Sequence, residues 1–177
     1  TTVFGFCFLN LRSYCRGLRM ETVSYGGLTN IWDLYPVLTM KLVVFSDVHG
    51  NLEALDLFME HSVSLGADLY VCLGDMIGYG PNPNECLEKI KNLAGENIVM
   101  GNHEWAALNL EDSAGYMNPM AYDAIVWTRR ALTGRNLEFI DGLPEKIEMG
   151  QFTFVHSSAF RPLRWEYLFG GKSLGIA

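Results

Sequence analysis

Short apolar runs alternate with longer amphipathic stretches from residue 40 onwards, and this alternation predicts an α/β domain. The runs at 41–45, 69–73 and 98–100 are apolar and rich in β-branched residues, as buried strands are. The stretches at 51–65 and 85–93 have the character of helices. Strand, helix and strand within about 30 residues form a βαβ unit, whose two strands are normally parallel.

The helix predicted over 51–65 is expected to bury one broad apolar face and to end near Gly66, a plausible residue just past a helix. That face comprises Leu52, Leu55, Leu57, Phe58 and Val63.

The pattern changes in the second half of the chain. Helices are predicted over 120–132 and 136–140, after a long loop that contains Gly115 and Pro119. Strands predicted over 146–149 and 152–156 flank Gly150-Gln151, a dipeptide suited to a tight hairpin.

Residues 1–39 differ from the rest, because they mix Gly, Tyr, Arg, Asn and Trp without helical or strand periodicity. We predict an atypical N-terminal extension over 1–39, poorly ordered or not native to the protein, with Met40 as the natural start. A small accessory segment is the alternative. Residues 40–177 are predicted to form the domain that carries the function.

Composition narrows the class of protein. The 177 residues suit one domain, and 49% apolar residues are ample for its core. The net charge of −7 argues against a stable nucleic-acid partner held by Lys and Arg. It leaves a phosphate substrate open, because metal ions can supply positive charge.

The cellular compartment is predicted from three features that the sequence lacks: a membrane span, a secretory signal and Cys-x-x-Cys pairs. No stretch approaches the roughly 20 continuous apolar residues of a membrane span. The apolar run at 3–11 precedes its arginines, the reverse of a secretory signal. The four cysteines form no Cys-x-x-Cys pair, and Cys72 is predicted to be a buried thiol within a strand. We expect a cytoplasmic protein in a reducing compartment, without a membrane partner.

Residues able to bind a metal follow each of the first three predicted strands. Asp47 and His49 follow the first, Asp75 the second, and Asn102 and His103 the third. Asp47 to Asp75 and Asp75 to His103 are each 28 positions, about one βαβ unit. Residues i and i+2 of an extended strand point the same way, so Asp47 and His49 are expected to reach one point.

Strands of an open α/β sheet bring their ligands together outside their C-terminal ends, where these residues would meet. Carboxylates with imidazoles suit Mn, Fe or Zn rather than Ca. Asp75 could bridge two cations about 3.5–4 Å apart, as in two-metal hydrolases. His156, at the end of a later strand, is a further candidate ligand.

These residues, in this order, resemble the motifs of the calcineurin-like metallophosphoesterases, and phrases such as Ser46-Asp47-Val48-His49-Gly50-Asn51 resemble its small YfcE-type bacterial and archaeal branch. The resemblance covers about residues 40–169. The motifs are Asp47-x-His49, Gly74-Asp75, Gly101-Asn102-His103-Glu104 and His156.

The resemblance implies a fold and a set of roles. The implied fold is a two-sheet β-sandwich flanked by helices, of the four-layer α/β/β/α type, with its C-terminal part missing. The implied cofactors are two divalent metal ions, Mn first, with Fe, Zn, Ni and Mg as alternatives. Asp47, His49 and Asp75 would hold one metal. Asp75, Asn102 and His156 would hold the other. His103 would contact the phosphate and protonate the leaving group.

The chain departs from the family pattern in two places. The family has a late Gly-His-x-His, with one His for each metal, and the four histidines here do not form it. We therefore expect an incomplete domain, weaker metal binding and low activity. Protein Ser/Thr phosphatases also place an Asp and then Arg-Gly soon after the Gly-Asp, and the run from Met76 to Gly80 has neither charge.

The sequence thus predicts a metal-dependent phosphoesterase, either a phosphodiesterase or a small-molecule phosphatase, acting on a small phosphate ester. The alternative is a non-catalytic binding or regulatory protein that keeps the fold with a degenerate site. The missing Gly-His-x-His favours the alternative, and the intact Asp, Asn and His set favours the enzyme.

Overall fold

A computed structural model describes residues 39–165 and the strand Gly5–Arg12. The strands are β1 (Gly5–Arg12), β2 (Thr39–Ser46), β3 (Leu69–Cys72), β4 (Lys146–Met149) and β5 (Phe152–Val155). The helices are α1 (Leu52–Ser64), α2 (Pro83–Ala94), α3 (Asn102–Leu108), α4 (Leu110–Ser113), α5 (Pro119–Ala131) and α6 (Gly134–Asp141), followed by a 3₁₀ turn at Pro162–Arg164.

The described strands form two sheets, as predicted. The first has the order β1-β2-β3, in which β1 is antiparallel to β2 and β2 is parallel to β3. Its parallel register runs from Leu42 opposite Leu69 to Phe45 opposite Cys72. The helix α1 connects β2 to β3, so the predicted βαβ unit is confirmed. The second sheet is the hairpin β4-β5.

The first sheet is buried on both faces because successive side chains alternate between them. Val43 and Phe45 belong to a large apolar cluster built mainly with the helices. Leu42 and Val71, from β2 and β3, belong to a second cluster with Phe154 of the hairpin. The described layers therefore run helices, first sheet, second sheet, which is a mixed α/β fold with two facing sheets.

The strand predicted over 98–100 is reduced to a single bridge. Ile98 pairs in parallel with Cys72, and the N–H of Val99 donates to the carbonyl of Cys72 at 3.0 Å. The N–H of Met100 donates instead to the carbonyl of Pro144 at 2.9 Å, so the ladder stops there. The chain still runs alongside β3 and delivers the next residues to the same edge.

Two predictions about helices were wrong in detail. The segment after residue 101 was predicted as a loop, but it contains α3 and α4. Leu57 and Val63 are 68% and 67% exposed, whereas Leu55 and Phe58 are buried. Only the positions of α1 that face the sheet are buried, and the helical period of 3.6 carries Leu57 and Val63 to the other side.

The N-terminal strand β1 lies within the segment in which no strand was predicted. The rest of 1–38 and residues 166–177 lie outside the described residues, so the proposed division at residue 40 stays a prediction. Among the described residues, no helix is long and apolar enough to cross a bilayer. Cys72 is a buried free thiol, as predicted.

Candidate metal centre

The loop after β2 carries Asp47 and His49 in an unusual backbone conformation. Their φ angles are 61° and 51°, in the left-handed region that non-glycine residues seldom occupy. The strand ends at Ser46, so extended-strand alternation is the wrong reason for their approach. The loop itself turns His49 back, and its Nε2 lies 3.6 Å from Asp47 Oδ1.

Hydrogen bonds to the loop after β3 hold this conformation. The N–H of Asp47 donates to the carbonyl of Gly74 at 3.2 Å, and the N–H of His49 to that of Asp75 at 2.9 Å. Asp75 also has a left-handed backbone, with φ of 53°. Strained conformations persist only where surrounding contacts impose them, and they cluster at functional sites.

One carboxylate oxygen lies at the centre of the group. Asp75 Oδ2 is 3.5 Å from His156 Nε2, 3.7 Å from His49 Nε2 and 4.0 Å from His103 Nε2. His49, Asp75 and His103 are all buried, and one possible ligand atom of each lies within 4.8 Å of the others. Asn102 joins them through His156, since its Oδ1 lies 2.9 Å from His156 Nε2. The six residues singled out by the sequence therefore lie together.

Backbone carbonyls orient two of the imidazoles. His49 Nδ1 lies 3.0 Å from the carbonyl oxygen of Ile77, and His156 Nδ1 lies 2.7 Å from that of Leu73. A carbonyl only accepts, so each Nδ1 carries the proton and each neutral ring presents its Nε2 lone pair to the cluster. This is the arrangement in which histidines ligate metals.

The side-chain atoms of the cluster are better placed to bind a cation than to hydrogen-bond with one another. In the neutral state, His156 Nε2 and Asn102 Oδ1 face each other with lone pairs, as do His49 Nε2 and the carboxylates of Asp47 and Asp75. A proton or a metal ion placed among these groups would satisfy their lone pairs, so the arrangement fits a bound positive charge. Imidazole, carboxylate and amide oxygen together suit a transition metal or Mg²⁺.

Glu104 belongs to the site, although the sequence indicated no role for it beyond its place in the motif with His103. Its carboxylate is fully buried. Oε2 accepts from the N–H groups of Asp75 at 2.8 Å and Gly101 at 2.9 Å, and Oε1 accepts from those of Met76 at 2.8 Å and Ile77 at 3.2 Å. The signal in the sequence was an acid directly after His103.

Two glycines of the site leave no room for a side chain. A Cβ on Gly101 would overlap the carboxylate of Asp75, and a Cβ on Gly78 would overlap Nδ1 of His103. Gly78 also has φ of +91°. Both glycines therefore let the backbone pack directly against the cluster.

The cluster perturbs the protonation of its acids in opposite directions. Burial, strengthened by the charge of Glu104, raises the pKa of Asp75 to about 7, although His156 and His49 pull it down. Burial also opposes ionisation of Asp47, but contacts with His49 and Ser46 outweigh it and lower its pKa. A divalent cation would compete with the proton on Asp75.

The histidines differ in the same way. Burial disfavours the charged form of His49, yet Asp47 and Asp75 outweigh it and raise its pKa. Burial and the neighbouring His49 and His156 lower the pKa of His103 to about 3. In this state His103 is therefore neutral near pH 7, and its buried Nδ1 has no hydrogen-bond partner among the described residues.

Known proteins resemble this chain over the region that contains the cluster. Positions 40–171 match the family model for calcineurin-like phosphoesterases. An uncharacterised protein of Methanocaldococcus jannaschii is 41% identical over 132 residues, covering 72% of this chain and 54% of that protein. Shewanella-like protein phosphatase 1 of Plasmodium berghei is 34% identical over 95 residues, covering 45% of this chain and 26% of that protein.

A solved structure shares the fold. The crystal structure of a metallophosphoesterase from Sphaerobacter thermophilus has a TM-score of 0.59 and 39% sequence identity, covering 73% of this chain and 51% of that one. The chain spans about half the length of this protein and of the archaeal relative.

Proposed function

The chain belongs to the calcineurin-like phosphoesterase family, and from this premise we propose that it hydrolyses small phosphate esters at a site for two divalent metal ions. Mn²⁺ is the first candidate cation. A phosphodiesterase or small-molecule phosphatase agrees better with the uncharged run after Asp75 than a protein phosphatase does.

The observation that carries the proposal is the position of Asp75. Three imidazole Nε2 atoms surround its Oδ2 at 3.5–4.0 Å, and the side chain is only 4% exposed. A buried carboxylate in such a ring of imidazoles is suited to bridge two cations. Burying polar groups without full pairing costs free energy, so a bound cation would account for this arrangement better than packing alone.

We assign roles by position. Asp47, His49 and Asp75 would hold one cation, and Asp75, Asn102 and His156 the other. Divalent cations at such a site withdraw charge from a phosphate and supply a hydroxide nucleophile at neutral pH. His103 would contact the phosphate and give a proton to the leaving oxygen.

The acid role of His103 depends on the substrate. Its pKa of about 3 in the structure makes it a poor proton donor at pH 7. A phosphate anion placed against Nε2 would favour the imidazolium and raise that pKa. We therefore expect His103 to take up its proton only with the ester bound.

The test is Mn²⁺-dependent hydrolysis of bis-p-nitrophenyl phosphate. Asp75→Asn should lower kcat/KM at least about 100-fold, since even substitutions beside a metal ligand cost 10–100-fold. His61→Asn is the matched control, because His61 is exposed on α1. Absence of metal-dependent turnover in the parent chain, or full activity in folded Asp75→Asn, would contradict the proposal.

The non-catalytic alternative makes a different prediction for the same assay. The observation on which this alternative rests is that the four histidines of the chain do not form the family's Gly-His-x-His motif. A binding protein would retain Mn²⁺ in calorimetry and bind phosphate esters without releasing p-nitrophenol. Calorimetry and turnover together therefore separate the two functions.

A further inference from the structure

The three imidazoles of the candidate metal centre are not held in place in the same way. Backbone carbonyls accept hydrogen bonds from Nδ1 of His49 and of His156, at 3.0 Å and 2.7 Å. Nδ1 of His103 is buried and has no hydrogen-bond partner in the part of the chain that the structure describes. A hydrogen bond to the far nitrogen is what normally orients a functional imidazole. The orientation of the His103 ring therefore depends on the groups that pack against it.

Two rings pack against His103. The centroid of its imidazole lies 4.4 Å from that of His49 and 5.0 Å from that of the Tyr79 ring. The rings of Tyr79 and His49 also meet edge to face, with their centroids 4.9 Å apart, so the three rings form one cluster. Aromatic rings in contact prefer edge-to-face or offset arrangements, so each contact restricts how the neighbouring ring can turn. Of the two neighbours of His103, only His49 has been assigned to a metal.

The backbone around Tyr79 holds its ring in this position. Its φ is 57°, a left-handed conformation that residues with a side chain seldom adopt. The N–H of the next residue, Gly80, donates to the carbonyl of His49 at 2.7 Å, and a Cβ on Gly80 would overlap that carbonyl. The preceding Gly78 likewise leaves no room for a side chain beside Nδ1 of His103. Tyr79 thus lies between two glycines that bring its loop against both histidines, and strained backbone of this kind clusters at functional sites.

Tyr79 is not a residue of the apolar core. It is 43% exposed, and neither apolar cluster of the described residues includes it. It lines a cavity of ≈ 410 Å³ that His103 and Asn102 also line. Further aromatic residues continue the wall of this cavity: Trp105, Tyr116 and Trp165. Packing of the core therefore does not explain Tyr79, whereas its contacts with the two imidazoles do.

We propose that Tyr79 is a positioning residue, which orients the His103 ring for proton donation to the leaving oxygen. The inference rests on the proposed function, in which His103 is the acid. In that step an oxygen from water bonds to phosphorus, and the bond from phosphorus to the ester oxygen breaks. The ester oxygen takes the proton from His103 and leaves as an alcohol. Over the full cycle, water supplies both the hydroxide that bonds to phosphorus and the proton that restores His103.

The dependence of hydrolysis on the leaving group distinguishes a misplaced acid from general damage to the site. p-Nitrophenol leaves as a stable anion and gains little from an acid, whereas phenol leaves poorly without a proton. Tyr79→Ala should therefore lower kcat for diphenyl phosphate at least about ten-fold and kcat for bis-p-nitrophenyl phosphate less than about three-fold. Tyr79→Phe should retain both rates, because it keeps the ring. Equal losses for the two esters in Tyr79→Ala, or the Tyr79→Ala pattern in Tyr79→Phe, would overturn the proposal.

Nuclear magnetic resonance of the metal-free chain measures the orientation of His103 without turnover. The chain has four histidines, and His103→Asn identifies the signal of His103 among them. In Tyr79→Ala the order parameter of the His103 Cε1–H bond should fall by at least about 0.2, because the ring has lost a neighbour and has no hydrogen bond at Nδ1. The order parameter of His156 should not change, since a carbonyl holds that ring. An unchanged order parameter for His103 would overturn the proposal.

Phe160→Ala is the control, because Phe160 is also an exposed aromatic residue, at 68%, and does not line the cavity. It should change neither the two rates nor the order parameter of His103. The two proposals fail separately. Absence of turnover of either ester by the parent chain removes the proposed function, and the order parameter of His103 then decides whether Tyr79 orients the ring. Turnover of both esters in a ratio that Tyr79→Ala leaves unchanged removes the role of Tyr79 alone.

Discussion

The buried carboxylate of Glu104 accepts a hydrogen bond of 2.8 Å from the backbone N–H of Asp75, 29 positions earlier in the chain. The N–H of His103 in turn donates to Asp75 Oδ1 at 2.9 Å. One helix start therefore fixes both the backbone and the side chain of the central carboxylate. This leaves Asp75 Oδ2 to face the three imidazoles.

Glu104→Gln should destabilise the fold by about 3 kcal/mol. Each carboxylate oxygen accepts from two N–H groups, so an amide in either orientation turns a donor towards two donors. Urea unfolding followed by circular dichroism measures the loss. Glu60→Gln, at an exposed position of α1, should change stability by less than about 0.5 kcal/mol. Equal effects of the two substitutions would contradict this role for Glu104.

His156→Gln should weaken one of two metal-binding steps by about 10–100-fold. Asn102→Ala should weaken the same step, because Asn102 and His156 are assigned to the same cation. The double variant should therefore lose little more than either single one, since substitutions at one site are not additive. Isothermal titration with Mn²⁺ measures both steps.

His49→Gln provides the contrast, because His49 is assigned to the other cation. Combined with His156→Gln, it should weaken both steps. If all three single substitutions reduce the same step, the two-cation assignment is wrong and a single metal lies around Asp75.

Gly78→Ala should lower activity at least about ten-fold, because its methyl group would displace the His103 ring. The suitable control is Gly95→Ala. Gly95 also has a positive φ, of +58°, but no atom lies within 4 Å of its added Cβ. Both variants carry the backbone strain, and only Gly78→Ala disturbs the site. Equal kcat/KM in the two variants would show that strain alone is responsible.

Acid should destabilise the metal-free protein partly through His103. Its pKa falls from an ordinary 6.5 to about 3 on folding because the ring is buried near His49 and His156. Between these values the unfolded chain binds more protons, so this contribution to stability is complete above pH 6.5 and is lost as the pH falls. The raised pKa of Asp75 acts in the opposite direction over part of that range.

Substitution of His103 separates its effect on acid stability from that of Asp75. Relative to the parent, His103→Asn should gain about 2 kcal/mol between pH 6.5 and pH 5, since each pH unit is worth about 1.4 kcal/mol. Urea unfolding with a chelator at several pH values measures this difference. A difference that stays constant with pH would mean that His103 is not held neutral by the fold.

The predictions from sequence were accurate for features encoded locally. The run that ends at Ser46 and the apolar stretch before Gly74 were predicted as strands, and both form the parallel pair. The hairpin around Gly150 is present as predicted. Strand periodicity, helix periodicity and turns each depend on residues within a few positions of one another, so the sequence alone reveals them.

Packing partners decided the features that were predicted wrongly. Leu57 and Leu55 are alike in the sequence, but only Leu55 faces the sheet. Met100 belongs to an apolar run, yet its N–H pairs with Pro144 rather than with a strand. The helical period places Leu55 and Leu57 on different sides of α1, but only the packed sheet decides which side is buried. The partner of Met100 likewise depends on where Pro144 lies in the fold.

The candidate metal centre shows the same division between features encoded locally and features decided by tertiary packing. The sequence by itself identified the acids, amides and imidazoles that meet at the site, because each directly follows an apolar run. Only the tertiary structure placed Asp75 at the centre, assigned Glu104 to the loops and opened an aromatic cavity beside His103. Those relationships depend on hydrogen bonds and packing between residues far apart in the chain, such as Asp75 and Glu104 at 29 positions and Asp75 and His103 at 28. Their energies arise only when the loops have come together.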